Sequence, residues 1–119
     1  MTDPRMEQLA RSLIAFSCAL APGERVLIES FDGNEDLVRA LVREAYRAQG
    51  VPFVWLRDRR IDRELLLNAT QAQAQLRAKN DAAFMEQMHA YVGVRGGSNS
   101  AELSDVPGEK LSMERRLYS

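Results

Sequence analysis

One cysteine and one histidine in 119 residues remove several chemistries at once. A lone Cys18 excludes an intrachain disulfide and suits a reducing cytoplasm. With His89 as the only imidazole, no two-histidine metal motif can be assembled within the chain. There is also no GxSxG elbow, no CxxC pair, no HExxH and no complete GxGxxG or phosphate-loop lysine pattern. Charge of one sign is missing too. Sixteen basic residues face seventeen acidic ones, net −1, so the basic stripe that would favour a nucleic-acid partner is absent. No apolar run approaches transmembrane length, so a membrane partner is not expected. Ser12 to Ala21 is apolar and ends in a small-x-small pattern, but Asp3 and Glu7 cancel Arg5 and Arg11 in what should be a positive leader. It reads as a core helix rather than a signal peptide.

What is present is an ordinary soluble composition, 45% hydrophobic and 28% charged, long enough for one domain with a real core. Its organising stretch is Pro22 to Asp58. Pro22-Gly23 is a turn, and Val26-Leu27-Ile28 is a continuous apolar run, as in a strand covered on both faces. The polar turn Asp32-Gly33-Asn34 offers side chains to cap a helix. Leu37, Val38, Leu41, Val42 and Ala45 then recur at helical spacing, with Arg39, Arg43, Glu44 and Arg47 on the other face. Gly50 stops the helix and Pro52 opens a second strand, Phe53 to Leu56. Strand, helix and strand in about forty residues make a βαβ unit with parallel strands and a right-handed crossover.

The flanks read as further elements. Asp3-Pro4 opens a helix in which Met6, Leu9, Leu13, Phe16 and Leu20 form one stripe up to Pro22-Gly23. Cys18 lies there as a small packed side chain. Arg57 to Arg60 reads as a solvated loop rather than an anion site, because Asp58 and Asp62 sit among the arginines. Ile61 to Leu67 is a short helix, Thr70 caps a longer one running towards Met88, and Phe84, Met85 and Met88 supply its buried end. Tyr91 to Val94 is a third strand, again parallel. Arg95 to Ser100 is a loop at the carboxyl edge of the sheet, read as a connection more than as an anion site. Asp105-Val106-Pro107 announces a last helix, with Leu111, Met113, Leu117 and Tyr118 as contacts. Its uncapped end at Ser119 fits either a chain cut from something longer or a frayed tail.

The expected fold is therefore α/β, a small three-stranded, mostly parallel sheet of Rossmann- or flavodoxin-like βαβ type, flanked by helices, with residues 1–119 as a single domain. The composition names no catalytic and no metal-binding residue. Open α/β sheets hold ligands at the carboxyl edge, which makes Glu29, Asp32, Arg57, Arg95 and Asn99 the candidate binding residues. Glu29 itself reads as a surface or cap contact, and His89 as a helix-end or interface residue.

Several segments together carry a resemblance. These are the opening helix (Asp3, Pro4, Arg5, Glu7, Leu9, Ala10), PGE.VLIE at Pro22 to Glu29, the LVRAL.REAYRAG-like run from Leu37 to Gly50 with Pro52 after it, AYVGVRG at Ala90 to Gly96, and NSAELSDVP at Asn99 to Pro107. In order and spacing the chain resembles the N-terminal region of the thermophilic metallo-aminopeptidases of the aminopeptidase T and aminopeptidase S type. The Gln/Ala-rich Gln71 to Asp81 departs from that family's bulkier stretch. The resemblance implies an α/β N-terminal domain of a two-domain cytoplasmic enzyme that hydrolyses N-terminal residues from peptides. It further implies a homodimer and two divalent metal ions, zinc or cobalt, held by carboxylates and histidines of a C-terminal domain. No ligand segment has a counterpart in these residues, so the chain alone is expected to be inactive and without a cofactor of its own. The alternative is a free-standing α/β binding or interaction module related only by fold.

Overall fold

The computed structural model describes residues 3–95 of the chain. Helix α1 (Pro4–Ser12) starts at Asp3, whose carboxylate accepts the Arg5 amide at 2.9 Å. It continues into a π-helical turn, Leu13–Ser17, closed by the Cys18 amide donating to the Leu13 carbonyl at 2.7 Å. That wide turn breaks the 3.6-residue phase. Leu13, Ile14 and Cys18 are buried, whereas Phe16, expected on the same stripe, is 79% exposed. The helix also stops before the Pro22-Gly23 turn. Ala19 takes a left-handed conformation, φ 48°, and the Leu20 amide bonds back to the Ile14 carbonyl.

Strand β1 (Arg25–Phe31) is the middle of a three-stranded sheet of order β2-β1-β3, with β2 (Val51–Arg57) and β3 (Ala90–Arg95) both parallel to it. Val26 to Ser30 are buried, which explains the unbroken apolar run. One face of the sheet packs Val26 and Ile28 against α1 and α2 (Glu35–Arg47), with Leu37, Leu41 and Ala45 buried and Val42 partly so. On the opposite face, Leu27 and Tyr91 meet Phe53, Trp55 and Phe84. The Arg57–Arg60 stretch is not a loop. Arg57 ends β2, and the Asp58 side chain caps α3 (Arg59–Leu67) by accepting the Arg60 and Ile61 amides. Thr70 caps α4 (Gln71–Glu86), as its spacing predicts, accepting the Gln73 amide at 3.1 Å.

Three further local expectations change. Glu44 is 9% exposed rather than on a solvated face, because Arg11 of α1 and Arg47 reach its two oxygens at 3.6 and 3.1 Å. Asn34 begins α2 without a side-chain cap; its amide nitrogen donates instead to the Phe31 carbonyl at 3.3 Å. Gln49, not Gly50, carries the left-handed turn after α2, at φ 64°. Gly50 is required for closeness. A Cβ there would lie 2.4 Å from Leu20 Cδ2 and 3.2 Å from the Glu24 carbonyl oxygen.

In the β1–β2 ladder the Val51 amide donates to Glu24 and the Arg57 carbonyl accepts from Asp32. Residues 51, 53, 55 and 57 therefore turn their peptide groups towards β1, and Pro52, Val54 and Leu56 turn theirs outward. Proline thus sits where its missing N–H breaks no bond of the ladder.

Candidate functional site

Parallel pairing brings the strand ends together. Phe31, Arg57 and Arg95 are in register at the carboxyl edge. β1 leads through α2 on one face to β2, and β2 leads through α3 and α4 on the other face to β3. The connections diverge between β1 and β3, the position where open α/β sheets form a ligand crevice.

Four of the five candidate residues lie at this edge; Asn99 lies outside the described residues. Glu29 is not a surface or cap contact. It is 7% exposed, and an ionised carboxylate at that depth requires partners. One of its oxygens accepts Arg57 Nε at 2.9 Å, and the other accepts the Tyr91 hydroxyl. Arg57 also donates through Nη2 to Asp81 of α4 at 3.2 Å, and its guanidinium lies 4.5 Å from the Trp55 ring centroid. Arg95 Nη2 approaches the Tyr91 hydroxyl at 3.4 Å, and its guanidinium covers the Phe31 ring at 4.9 Å. Glu29, Arg57 and Arg95 thus form one network through Tyr91.

Asp32 is held elsewhere. One of its oxygens accepts the Arg59 amide at 2.9 Å and the other meets Arg59 Nε at 3.3 Å, tying the β1–α2 loop to the start of α3. Its backbone is left-handed, as are Gly33 and Asn34 after it, with φ of 62°, 96° and 70°. Three such residues in succession are costly for the two that carry a Cβ. The Ser30 hydroxyl, donating to the Gly33 carbonyl at 2.8 Å, and the Asp32 amide, donating to the Arg57 carbonyl, hold the loop in place.

Beside the network lies a cleft of about 680 Å³ between the end of β2, α3 and α4. Leu56, Ile61, Leu65 and Leu76 line it, and Arg57 and Arg77 stand at its polar side. Asp62 accepts Arg77 Nη2 at 3.0 Å, joining α3 to α4 across the cleft. Glu29, Asp32, Asp62 and Asp81 are therefore each committed to an arginine, an arrangement that positions elements and neutralises charge.

Tyr91, Asp81 and Trp55 were not among the residues expected at this site. Alternation along β3 would have placed Tyr91 on the same face as Leu27 and Glu29, but Asp81 sits in a helix whose sequence carries almost no stripe. His89 lies at the other end of the sheet. Its Nδ1 accepts the Arg25 amide at 3.0 Å and its own amide donates to the Arg25 carbonyl, so it fastens the connection between α4 and β3 to the start of β1.

A profile for thermophilic metalloproteases (M29) matches residues 2–119. No curated protein matches. Among solved structures the chain is similar to wild-type AmpT from Thermus thermophilus, at 26% identity and a TM-score of 0.61. The similarity covers 95% of this chain and 30% of that one, so the chain spans about a third of its solved relative.

Proposed function

We propose a function from one premise: this chain belongs to the thermophilic metalloprotease (M29) family. It is the N-terminal α/β portion of a metal-dependent aminopeptidase, cytoplasmic and homodimeric in its complete form, acting on the N-termini of peptides. The observation that carries this reading is a family match over residues 2–119 combined with coverage of only 30% of AmpT. A free-standing binding module is not favoured, since the match to an enzyme family runs through the whole chain.

The family implies a metal, and the described residues do not fit one. They contain no group of three or more His, Cys, Asp or Glu side chains that could hold an ion. Glu29, Asp32, Asp62 and Asp81 each engage an arginine, and His89 is at the amino end of the sheet. We place the two ions, zinc or cobalt, on ligands of a C-terminal domain, as the family resemblance implies, and assign the described residues no catalytic step. Its part is to present the carboxyl edge of the sheet as a wall of the substrate cleft.

Metal content after dialysis and an aminoacyl-nitroanilide assay of the 119-residue chain test the assignment together. The expected result is no stoichiometric zinc, cobalt or manganese and no turnover. One or two bound equivalents with chelator-sensitive turnover would put the active site here and overturn the division of labour.

A further inference from the structure

We infer that α3 and α4 form a hinged flap, moving as one body over the carboxyl edge and held shut by arginine–carboxylate latches. The inference stands apart from the peptidase reading. Its first support is what these helices do not bury. Neither contributes a buried residue, and Ile61, Leu66 and Leu76 are each more than 60% exposed although they face the cleft. By contrast, α2 buries six residues against the sheet and α1. Elements with little buried apolar surface open at low free energy, separately from the core.

The second support is the placing of the contacts that do hold them. α4 is anchored at its C-terminal end, where the Phe84 ring meets Phe53 edge-on at 5.3 Å and Trp55 at 5.4 Å, with Met85 alongside. Its first ten residues, Gln71 to Asn80, are exposed apart from Arg77. Towards the carboxyl edge the attachments are polar: Asp32 to Arg59 on α3, and Arg57 to Asp81 on α4. Asp62 to Arg77 binds the two helices to each other. Apolar contacts at one end and ion pairs at the other define a hinge and a latch. The leucine-lined cleft is the space that widens when the latch releases. Ion pairs partly open to solvent are screened in part by salt, so the flap should loosen with ionic strength while the core does not.

Hydrogen–deuterium exchange of the full 119-residue chain tests this, at roughly 0.02 M and 0.5 M sodium chloride, either side of the salt range in which screening sets in. We expect amides of α3 and of the first half of α4 to exchange together, at least about a hundredfold faster than those of β1 and α2. Added salt should speed both helices several-fold and leave α2 unchanged. Asp32→Asn keeps an acceptor for the Arg59 amide but removes the charge; it should speed exchange in α4 as well as α3. Arg77→Gln should uncouple the two, so that Asp32→Asn in that background affects α3 alone. Equal protection of α3, α4 and α2, insensitivity to salt, or an Asp32→Asn effect confined to α3 in the parent chain would each overturn the inference. So would a chain in which β1 and α2 themselves lack protection.

Discussion

Replacing Arg57 by leucine isolates the buried network in a single measurement. Arg57 is 19% exposed in its side chain and Glu29 9%, at a separation of 2.9 Å. Removing the cation leaves the Glu29 carboxylate under the sheet with, among the described residues, the Tyr91 hydroxyl as its remaining hydrogen-bond partner. Breaking a buried pair from one side costs about 3–5 kcal/mol. Because Arg57 keeps some solvent contact, the lower end applies, about 3 kcal/mol. Glu29→Leu alone strands the guanidinium less severely, since Asp81 still receives it, and should cost about 1–2 kcal/mol. In the double variant two leucines lie beside Trp55, and an apolar replacement of a buried pair is roughly neutral. The cycle should therefore show a coupling of about 3 kcal/mol or more, with the double variant more stable than Arg57→Leu. Urea unfolding followed by circular dichroism reads this directly; at a slope of roughly 1–3 kcal/mol per molar, the Arg57→Leu midpoint falls by about 1–3 M. Fluorescence of Trp55, the one tryptophan of the chain, gives a second probe at the site itself. Additive single effects, or a cost below about 1 kcal/mol for Arg57→Leu, would show that the network is solvated and holds nothing.

Other substitutions test other links. Ile28→Asp places an unpaired charge at a fully buried position and should abolish cooperative unfolding, while Val42→Asp, only partly buried on the same interface, should lower stability less. Unchanged thermal melts for both would reject the sheet–helix packing. Gly50→Ala drives a methyl into buried Leu20 and should cost about 1–3 kcal/mol, read as a lowered Tm. Asp58 has its pKa lowered by the Arg60 side chain, then by the Arg60 amide. A depressed carboxylate stabilises the fold above its unfolded pKa and loses that contribution as pH falls through the folded value. The stability difference between the parent and Asp58→Asn should accordingly be constant near neutrality, begin to shrink as pH falls into the ordinary carboxylate range near about 4, and vanish only below the depressed folded value. A difference that persists undiminished in acid would assign it to something other than charge.

Much of the architecture is written in short-range pattern. The Leu37–Ala45 spacing, the Val26–Ile28 run and the Asp3 and Thr70 caps act over one or two turns, so a linear reading finds them. Phe16 misleads because a π turn shifts the phase of a helix without any residue that announces it. Glu44 and Glu29 mislead for a different reason. Their burial depends on cations brought by the fold: Arg11 lies thirty-three positions before Glu44, and Arg57 twenty-eight after Glu29. A carboxylate inside an apolar strand was the available sign, and it signals that a partner exists without saying which. The edge location of Glu29, Asp32, Arg57 and Arg95 was legible from parallel topology alone. Their division into two clusters was not, because it turns on whether Arg57 or Arg59 faces Asp32.

The outward-facing Pro52 limits growth of the sheet at β2. A strand joining β2 from outside would look for donors at positions 52, 54 and 56 and find the first one missing. The outer margin of β2 is left with two outward-facing donor–acceptor residues, Val54 and Leu56, too short a template for stable pairing with a stray chain. Proline thus protects an open margin that other folds blunt with charge.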